Sequence, residues 1–234
     1  MNDPIGKAIE DYARFKKPAD IIVSSDICED DIIPVEVLFR TYEEMPELEQ
    51  LALKECTGSI LDVGAGAGSH ATYLSDLGKK VLAIDISKGA VDYMKMNGLE
   101  ALEENFFEFS GPKFDSILML MNGIGIAGTL ANLEKTLEHA KSLLNPGGSI
   151  LCDSSDIKYL YEDEDGAMWM NLNSEYYGNF KFEMSYKKEK GAQFDWLYVD
   201  FDNLFQAAKN VGLKASRFFE QGDHYLAKIT LQDS

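Results

Sequence analysis

Nine residues, ILDVGAGAG from Ile60 to Gly68, constrain the fold of this chain more than any other stretch. A short apolar run leads into glycines at 64, 66 and 68, so a strand must turn off sharply where side chains would otherwise block the backbone. The segment from Ser69 to Leu77 then reads as a helix that stops at Gly78. A helix opening on such a turn offers unpaired N–H groups to a polar or anionic ligand group. A second apolar run, KVLAID from Lys80 to Asp85, puts an acidic residue roughly 20 positions beyond the turn, a spacing suited to bonding ribose hydroxyls.

From Ser59 onward short apolar runs alternate with amphipathic segments, the pattern of a parallel sheet built by strand–helix–strand crossovers. A helix over Ser87 to Met96 is closed by Asn97 and Gly98, and a weakly patterned third strand lies near Leu99 to Glu104. The fourth strand, Asp115 to Met121, is almost continuously apolar, as expected for a strand covered on both faces. Leu130, Leu133, Leu137, Ala140, Leu143 and Leu144 give one apolar face to a helix that ends at Asn145-Pro146-Gly147-Gly148, and the fifth strand follows over Ser149 to Asp153. The rhythm breaks between Ser154 and Asp200, where FKFEMSY and FDWLYV read as a hairpin inserted into the pattern. A helix over Asp202 to Asn210, capped at Gly212, and strands near Ala215 to Phe219 and His224 to Leu231 close the chain.

These elements predict one α/β domain in four parts: a mostly helical N-terminal cap (1–57), a ligand-binding half (58–153), the insertion (154–200) and a C-terminal helix with two strands (201–234). In the cap, Ile5, Ala8, Ile9 and Tyr12 have helical spacing, a second helical segment runs from about Val35 to Cys56, and an acidic connector lies around Asp26 to Asp31.

Charge narrows the partners. The 22 basic and 40 acidic residues leave a formal charge of −18, a field that repels nucleic acid and anionic membrane surfaces. Three scattered cysteines, Cys28, Cys56 and Cys152, without a CxxC pair, fit a reducing cytoplasm, and no apolar run is long enough to span a bilayer. His70, His139 and His224 have no partners at zinc-ligand spacing; His139 is expected at the surface, and His70, just past the glycine turn, is expected either to pack there or to touch the ligand. No GxSxG or Walker motif occurs, and the acidic run Glu162 to Asp165 lacks the spacing of a calcium loop.

Two ligand types suit the turn. A dinucleotide asks for GxGxxG, whereas this turn is GxGxG with Ser69 in the last place, and Asp62 would repel a pyrophosphate. A ligand carrying a protonated amine would be attracted to Asp62. On these residues the chain resembles the class I S-adenosylmethionine-dependent methyltransferases, LDVGAGAG being the most specific motif. The resemblance runs from Gly58 to Leu231 apart from the insertion.

It implies a Rossmann-like, seven-stranded, mostly parallel sheet of order 3-2-1-4-5-7-6 with strand seven antiparallel, and S-adenosyl-L-methionine as cofactor. By position it implies Asp62, Gly64, Ala65 and Gly66 around the methionine end, Asp85 on the ribose and Ile86 on the adenine. Asn105, in place of the family's usual acid, and Phe106 would lie nearest the adenine amine, with Met121 and Asn122 lining the site beside the sulfur. The acceptor is then a small molecule, covered by the insertion and the N-terminal segment. Trp169, Tyr176, Tyr177 and Trp196 are candidate pocket aromatics, and Asp153, Asp156, Tyr159 and His224 candidate proton acceptors. An NAD-dependent oxidoreductase and a catalytically silent binding module are the competing readings, since a fold alone assigns no chemistry.

Overall fold

Residues 2–16, 19–25, 27–161 and 175–232 are described by the computed structural model. The chain opens with helix α1 (Pro4–Phe15), strands β1 (Ile21–Ser25) and β2 (Asp31–Ile33), two short 3-10 turns and helix α2 (Glu47–Glu55). It then alternates through β3 (Ser59–Val63), α3 (Ser69–Asp76), β4 (Lys80–Asp85), α4 (Lys88–Met96), β5 (Ala101–Glu103), β6 (Phe114–Met119), α5 (Leu133–Ser142) and β7 (Leu144–Ser155). Strands β8 (Asn179–Tyr186) and β9 (Glu189–Leu197), helix α6 (Phe201–Asn210) and strands β10 (Leu213–Gln221) and β11 (His224–Leu231) complete it.

Seven strands form one sheet in the order β10-β11-β7-β6-β3-β4-β5. Numbered within that sheet the order is 3-2-1-4-5-7-6, with β11 antiparallel to both neighbours and the other pairings parallel. Alternate residues of the central strands feed opposite layers: Leu61, Ile117 and Ile150 pack with α5 and α6, while Ile60, Leu118 and Leu151 pack with α2, α3 and α4. Burying each such side chain contributes about 1.5 to 3 kcal/mol, so the frame is firm beneath the loops it carries. The glycine turn leaves β3 between β4 and β6, where the strand order reverses, the place at which open α/β sheets take ligands.

Residues 1–57 hold helical turns where their spacing suggests them, in α1 and from Val35 to Glu55, but the connector between these carries two strands that the spacing does not suggest. The run Ile21-Ile22-Val23 is short and β-branched, and β1 pairs with β8 from far along the chain, Ile21 opposite Tyr186, a partnership that local periodicity does not register. Together with β2 and β9 these strands make a second, antiparallel sheet of order β2-β1-β8-β9. The hairpin of the insertion is its larger half. Strand β7 also starts earlier than its turn residues imply, with Leu144 opposite Phe114 before the register shifts. The acidic run Glu162–Asp165, Asp26 and Trp169 fall outside the described residues.

Helix α1 crosses α4 at a backbone contact: a Cβ on Gly6 would lie 2.7 Å from the Gly89 Cα. Asp3 secures the crossing by capping both helices. Its Oδ1 accepts from the Gly6 N–H at 2.8 Å, and its Oδ2 accepts from the Gly89 N–H and the Ser87 hydroxyl, each at 2.9 Å.

Candidate cofactor site

The three glycines of the turn all have left-handed backbones, with φ of +71° at Gly64, +57° at Gly66 and +81° at Gly68, which excludes side chains at little cost only for glycine. Their surroundings separate their tasks. A Cβ on Gly64 would meet no atom within 4 Å, and one on Gly66 only a Leu38 methyl at 3.8 Å, so both face open space. A Cβ on Gly68 would lie 2.7 Å from Leu99, so this glycine lets α3 pack closely.

The open faces of Gly64, Ala65 and Gly66 line a cavity shared with Asp62, Arg40, Glu49, His70 and Met121. Asp62 is only 2% exposed and its Oδ2 has no hydrogen-bond partner among the described residues. Burial raises its carboxyl above the ordinary range, with His70 and the Ala71 N–H acting in the other direction. Arg40, Glu49 and His70 form a chain that the sequence reading missed. The Arg40 Nη2 donates to Glu49 Oε1 at 2.7 Å, and Glu49 Oε2 meets His70 Nε2 at 2.8 Å. Burial disfavours charge on both members, yet the Glu49 bond and the Asp62 charge hold His70 above its usual value, while His70 and Arg40 hold Glu49 below its own. The Arg40 Nε, also buried, has no partner among the described residues. Two residues lining the cavity therefore carry unpaired buried atoms, an acceptor on Asp62 and a donor on Arg40.

Asp85 has a different arrangement. Its Oδ2 accepts from the Gly66 N–H and its Oδ1 from the Ser87 N–H, both at 2.8 Å, so it ties the turn to the start of α4. Burial raises this carboxyl as well, opposed by those same N–H groups. The neighbouring Ile86 is 76% exposed at the end of β4, an apolar surface open to a flat partner.

The remaining expected positions divide. Met121 lines the cavity, 40% exposed, and both Met121 and Asn122 have left-handed backbones (φ +61° and +57°), a costly pair for non-glycine residues. Asn122 is occupied in holding the loop: its Nδ2 donates to the Leu197 carbonyl at 3.2 Å and its Oδ1 accepts from the Ser154 hydroxyl at 2.8 Å. Asn105 uses its side-chain oxygen to accept from the Phe107 N–H at 3.0 Å. Phe106 is buried in the core, edge-on to His139 with ring centroids 4.8 Å apart, and neither residue lines the cavity. His139 is accordingly half-buried rather than at the surface.

Of the candidate proton acceptors, Asp153 is buried at the end of β7 and accepts weakly from the Gly123 N–H at 3.4 Å; burial pushes it up to about 6. Asp156 accepts from the Tyr177 hydroxyl at 2.7 Å, Tyr176 donates to Asp200 at 2.5 Å, and His224 Nδ1 meets the Ser155 hydroxyl at 2.6 Å. Asp156 and Asp200 line a separate cleft with Arg217 and Glu220. Among the described residues no group of three or more His, Cys, Asp or Glu could hold a metal ion, no helix is long and apolar enough to cross a membrane, and the three cysteines are free.

The second sheet lies beside this site. A Cβ on Gly125 would come within 2.4 Å of Trp196 Nε1, and the Asn122–Leu197 bond fixes β9 against the loop leaving β6. On that side Phe180, Phe182, Phe194 and Tyr198 form a continuous aromatic cluster.

Comparison with known proteins gives this geometry its context. The model of a methyltransferase domain family matches residues 60–148, the stretch from the glycine turn to the fifth parallel strand. An S-adenosylmethionine-dependent methyltransferase from Bacteroides fragilis, solved with S-adenosyl-L-homocysteine, is 46% identical and superposes with a TM-score of 0.93 over 99% of this chain and 96% of that one. The CcbJ methyltransferase of Streptomyces caelestis shares the fold at 15% identity, with a TM-score of 0.60 over 82% of this chain and 95% of that chain. The cypemycin N-terminal methyltransferase of a Streptomyces species is 28% identical over 103 residues, and the match spans 42% of each protein. With its sheet order, its glycine turn and a relative alike over nearly its whole length, the chain belongs to the class I S-adenosylmethionine-dependent methyltransferases.

Proposed function

We propose that this protein transfers the methyl group of S-adenosyl-L-methionine to a small-molecule acceptor, holding the cofactor in the cavity beside the glycine turn. The observation that carries the assignment of the site is the pair of unpaired atoms in one cavity, the Asp62 Oδ2 and the Arg40 Nε. Buried polar atoms rarely lack partners in a native protein, and an acceptor and a donor on residues lining one cavity suit the ammonium and carboxylate of an amino acid. Gly64 and Gly66 leave room for the middle of the ligand, Asp85 has lone pairs left for ribose hydroxyls, and Ile86 offers an apolar face to the adenine. Met121 then borders the reacting end. A dinucleotide gains no support here, because its pyrophosphate would face the unpaired oxygen of Asp62.

The bound cofactor supplies an activated methyl group on a sulfonium, so the chain's task is alignment and exclusion of water. Proximity of this kind supplies roughly 7 to 11 kcal/mol of a reaction barrier. Asp62 and Arg40 fix one end of the ligand, the Asp85 tie keeps the turn in shape, and the second sheet with α1 covers the ends of the parallel strands. Asp153, Asp156, Tyr159 and His224 stay candidate proton acceptors, although Asp156 lines the separate cleft with Asp200.

Calorimetric titration tests the assignment. S-adenosylhomocysteine should bind about 100-fold more tightly than 5′-methylthioadenosine, which lacks the amino-acid end, and NADH should not bind. Equal affinity for the first two would remove Asp62 and Arg40 from the site. A silent binding module would pass this test and then release no S-adenosylhomocysteine in a methyl-transfer screen.

A further inference from the structure

The aromatic side of the second sheet has two unlike ends. At one, Ile21, Ile33 and Tyr186 are packed with α1 and the turn around Val35. At the other, Phe182, Phe194 and Tyr198 remain half-exposed, next to the loop carrying Met121. The Tyr198 ring packs against Phe180 and Phe182 at centroid distances of 5.5 and 6.3 Å, and its hydroxyl makes no hydrogen bond among the described residues. Asp31 stands opposite Val23, which stands opposite Met184, so its side chain lies on the same face of the sheet as Phe182, two strands away; burial, followed by the charges of Asp31, Tyr159, Cys28 and Asp153, pushes the Tyr198 hydroxyl up to about 12. An aromatic wall with a carboxylate on the same face attracts a cation through both ring faces and charge, and it repels carboxylate or phosphate groups.

We propose that the acceptor is a small amine, held as its ammonium form between the Phe182–Tyr198 wall and the carboxylate of Asp31. This rests on the methyltransferase assignment of the cavity next to it and narrows its substrate class. The ammonium releases a proton to water to free its lone pair; the nitrogen then gains the methyl group as the carbon–sulfur bond breaks toward sulfur. The product leaves as a methylated ammonium, and the thioether stays neutral.

The test is binding to the protein saturated with S-adenosylhomocysteine, where no turnover occurs. Three probes of one shape are titrated at pH 7.5: 2-phenylethylamine, 2-phenylethanol and 3-phenylpropionate. The amine should bind about 10-fold more tightly than either other probe. Asp31→Asn, at an exposed position on β2, should reduce that preference about fivefold and leave alcohol and S-adenosylhomocysteine binding unchanged. Phe182→Leu should weaken the amine more than the alcohol. The proposal is overturned if the alcohol or the acid binds as well as the amine, if Asp31→Asn leaves the preference intact, or if no amine binding is seen at millimolar concentration while S-adenosylhomocysteine binds. Failure of S-adenosylhomocysteine to bind is a distinct result: it defeats the cofactor assignment, and the acceptor proposal with it.

Discussion

Asp62 and Asp85 stand on neighbouring strands of one sheet, and burial raises the carboxyl of each above its ordinary range. Only Asp85 has both oxygens bonded within the chain. Asp62 leaves one oxygen unpaired among the described residues, and it lines the same cavity as Arg40, whose Nε is unpaired too. The difference teaches that an acid conforming to a family motif can be committed in advance to the fold, while another is kept for the ligand. A buried polar group without a partner costs roughly 1 to 3 kcal/mol, so Asp62 holds stability in reserve that binding recovers.

The widest test of this contrast is Asp62→Asn. Breaking a buried charge pair costs about 3 kcal/mol or more, so affinity for S-adenosylmethionine should fall about 150-fold. Melting temperature should hold or rise. A carboxyl raised on folding contributes stability below its unfolded pKa of about 3.9 and loses that contribution as pH climbs through the folded value, so removing it relieves a cost at neutral pH. Unchanged affinity with lower stability would place Asp62 with Asp85. Asp85→Ala should move both readings: freeing the Gly66 and Ser87 N–H groups costs about 1 to 3 kcal/mol of stability, and affinity should drop about 10-fold. A stability loss alone would make Asp85 wholly structural.

A third buried carboxylate sharpens the scale. Asp153, pushed up to about 6, also disfavours folding once ionised. Its contribution is present below about pH 3.9 and lost as pH rises through 6, so Asp153→Asn, which keeps an acceptor for the Gly123 N–H, should stabilise the protein by about 1 to 3 kcal/mol at pH 8 and little at pH 4. Thermal melts across that range measure it. His70→Gln gives the smallest effect. The raised His70 contributes below about pH 6.5 and the lowered Glu49 above about 4.3, so the cost of the substitution, about 1 to 2 kcal/mol, should be greatest between those values and fade in alkali. A flat profile would show that the pair is held as neutral groups.

What the sequence made legible was the part of the molecule whose contacts are local or periodic. Each apolar run from Ser59 to Asp153 became a strand of the main sheet, and Asp62, Gly64, Ala65, Gly66 and Met121 meet at one cavity. Arg40, Glu49 and His70 escaped because nothing in their spacing marks three residues brought together by the packing of α2 and the turn before it against α3. The polar Glu49 beside Leu48, on a face otherwise buried, was the one available hint. Phe106 shows the opposite failure: an apolar residue after a short strand reads alike whether it borders a ligand or the core, and here His139 and the core claim it. The two strands of the N-terminal segment were illegible for a third reason, since their partner is encoded near the other end of the chain.

That last pairing has a consequence for how the molecule comes into being. During synthesis β1 and β2 emerge long before β8 exists to receive Ile21, Ile22 and Val23. An apolar strand with a free edge invites pairing with whatever other edge is near, including that of another nascent chain. Contacts so distant in sequence also close slowly. The parallel strands from β3 to β7 are made in the interval, so the cover over the ligand site cannot form until β8 and β9 follow them, and β10 and β11 of the main sheet come later still; the interval before β8 arrives is when β1 is most exposed to misassembly.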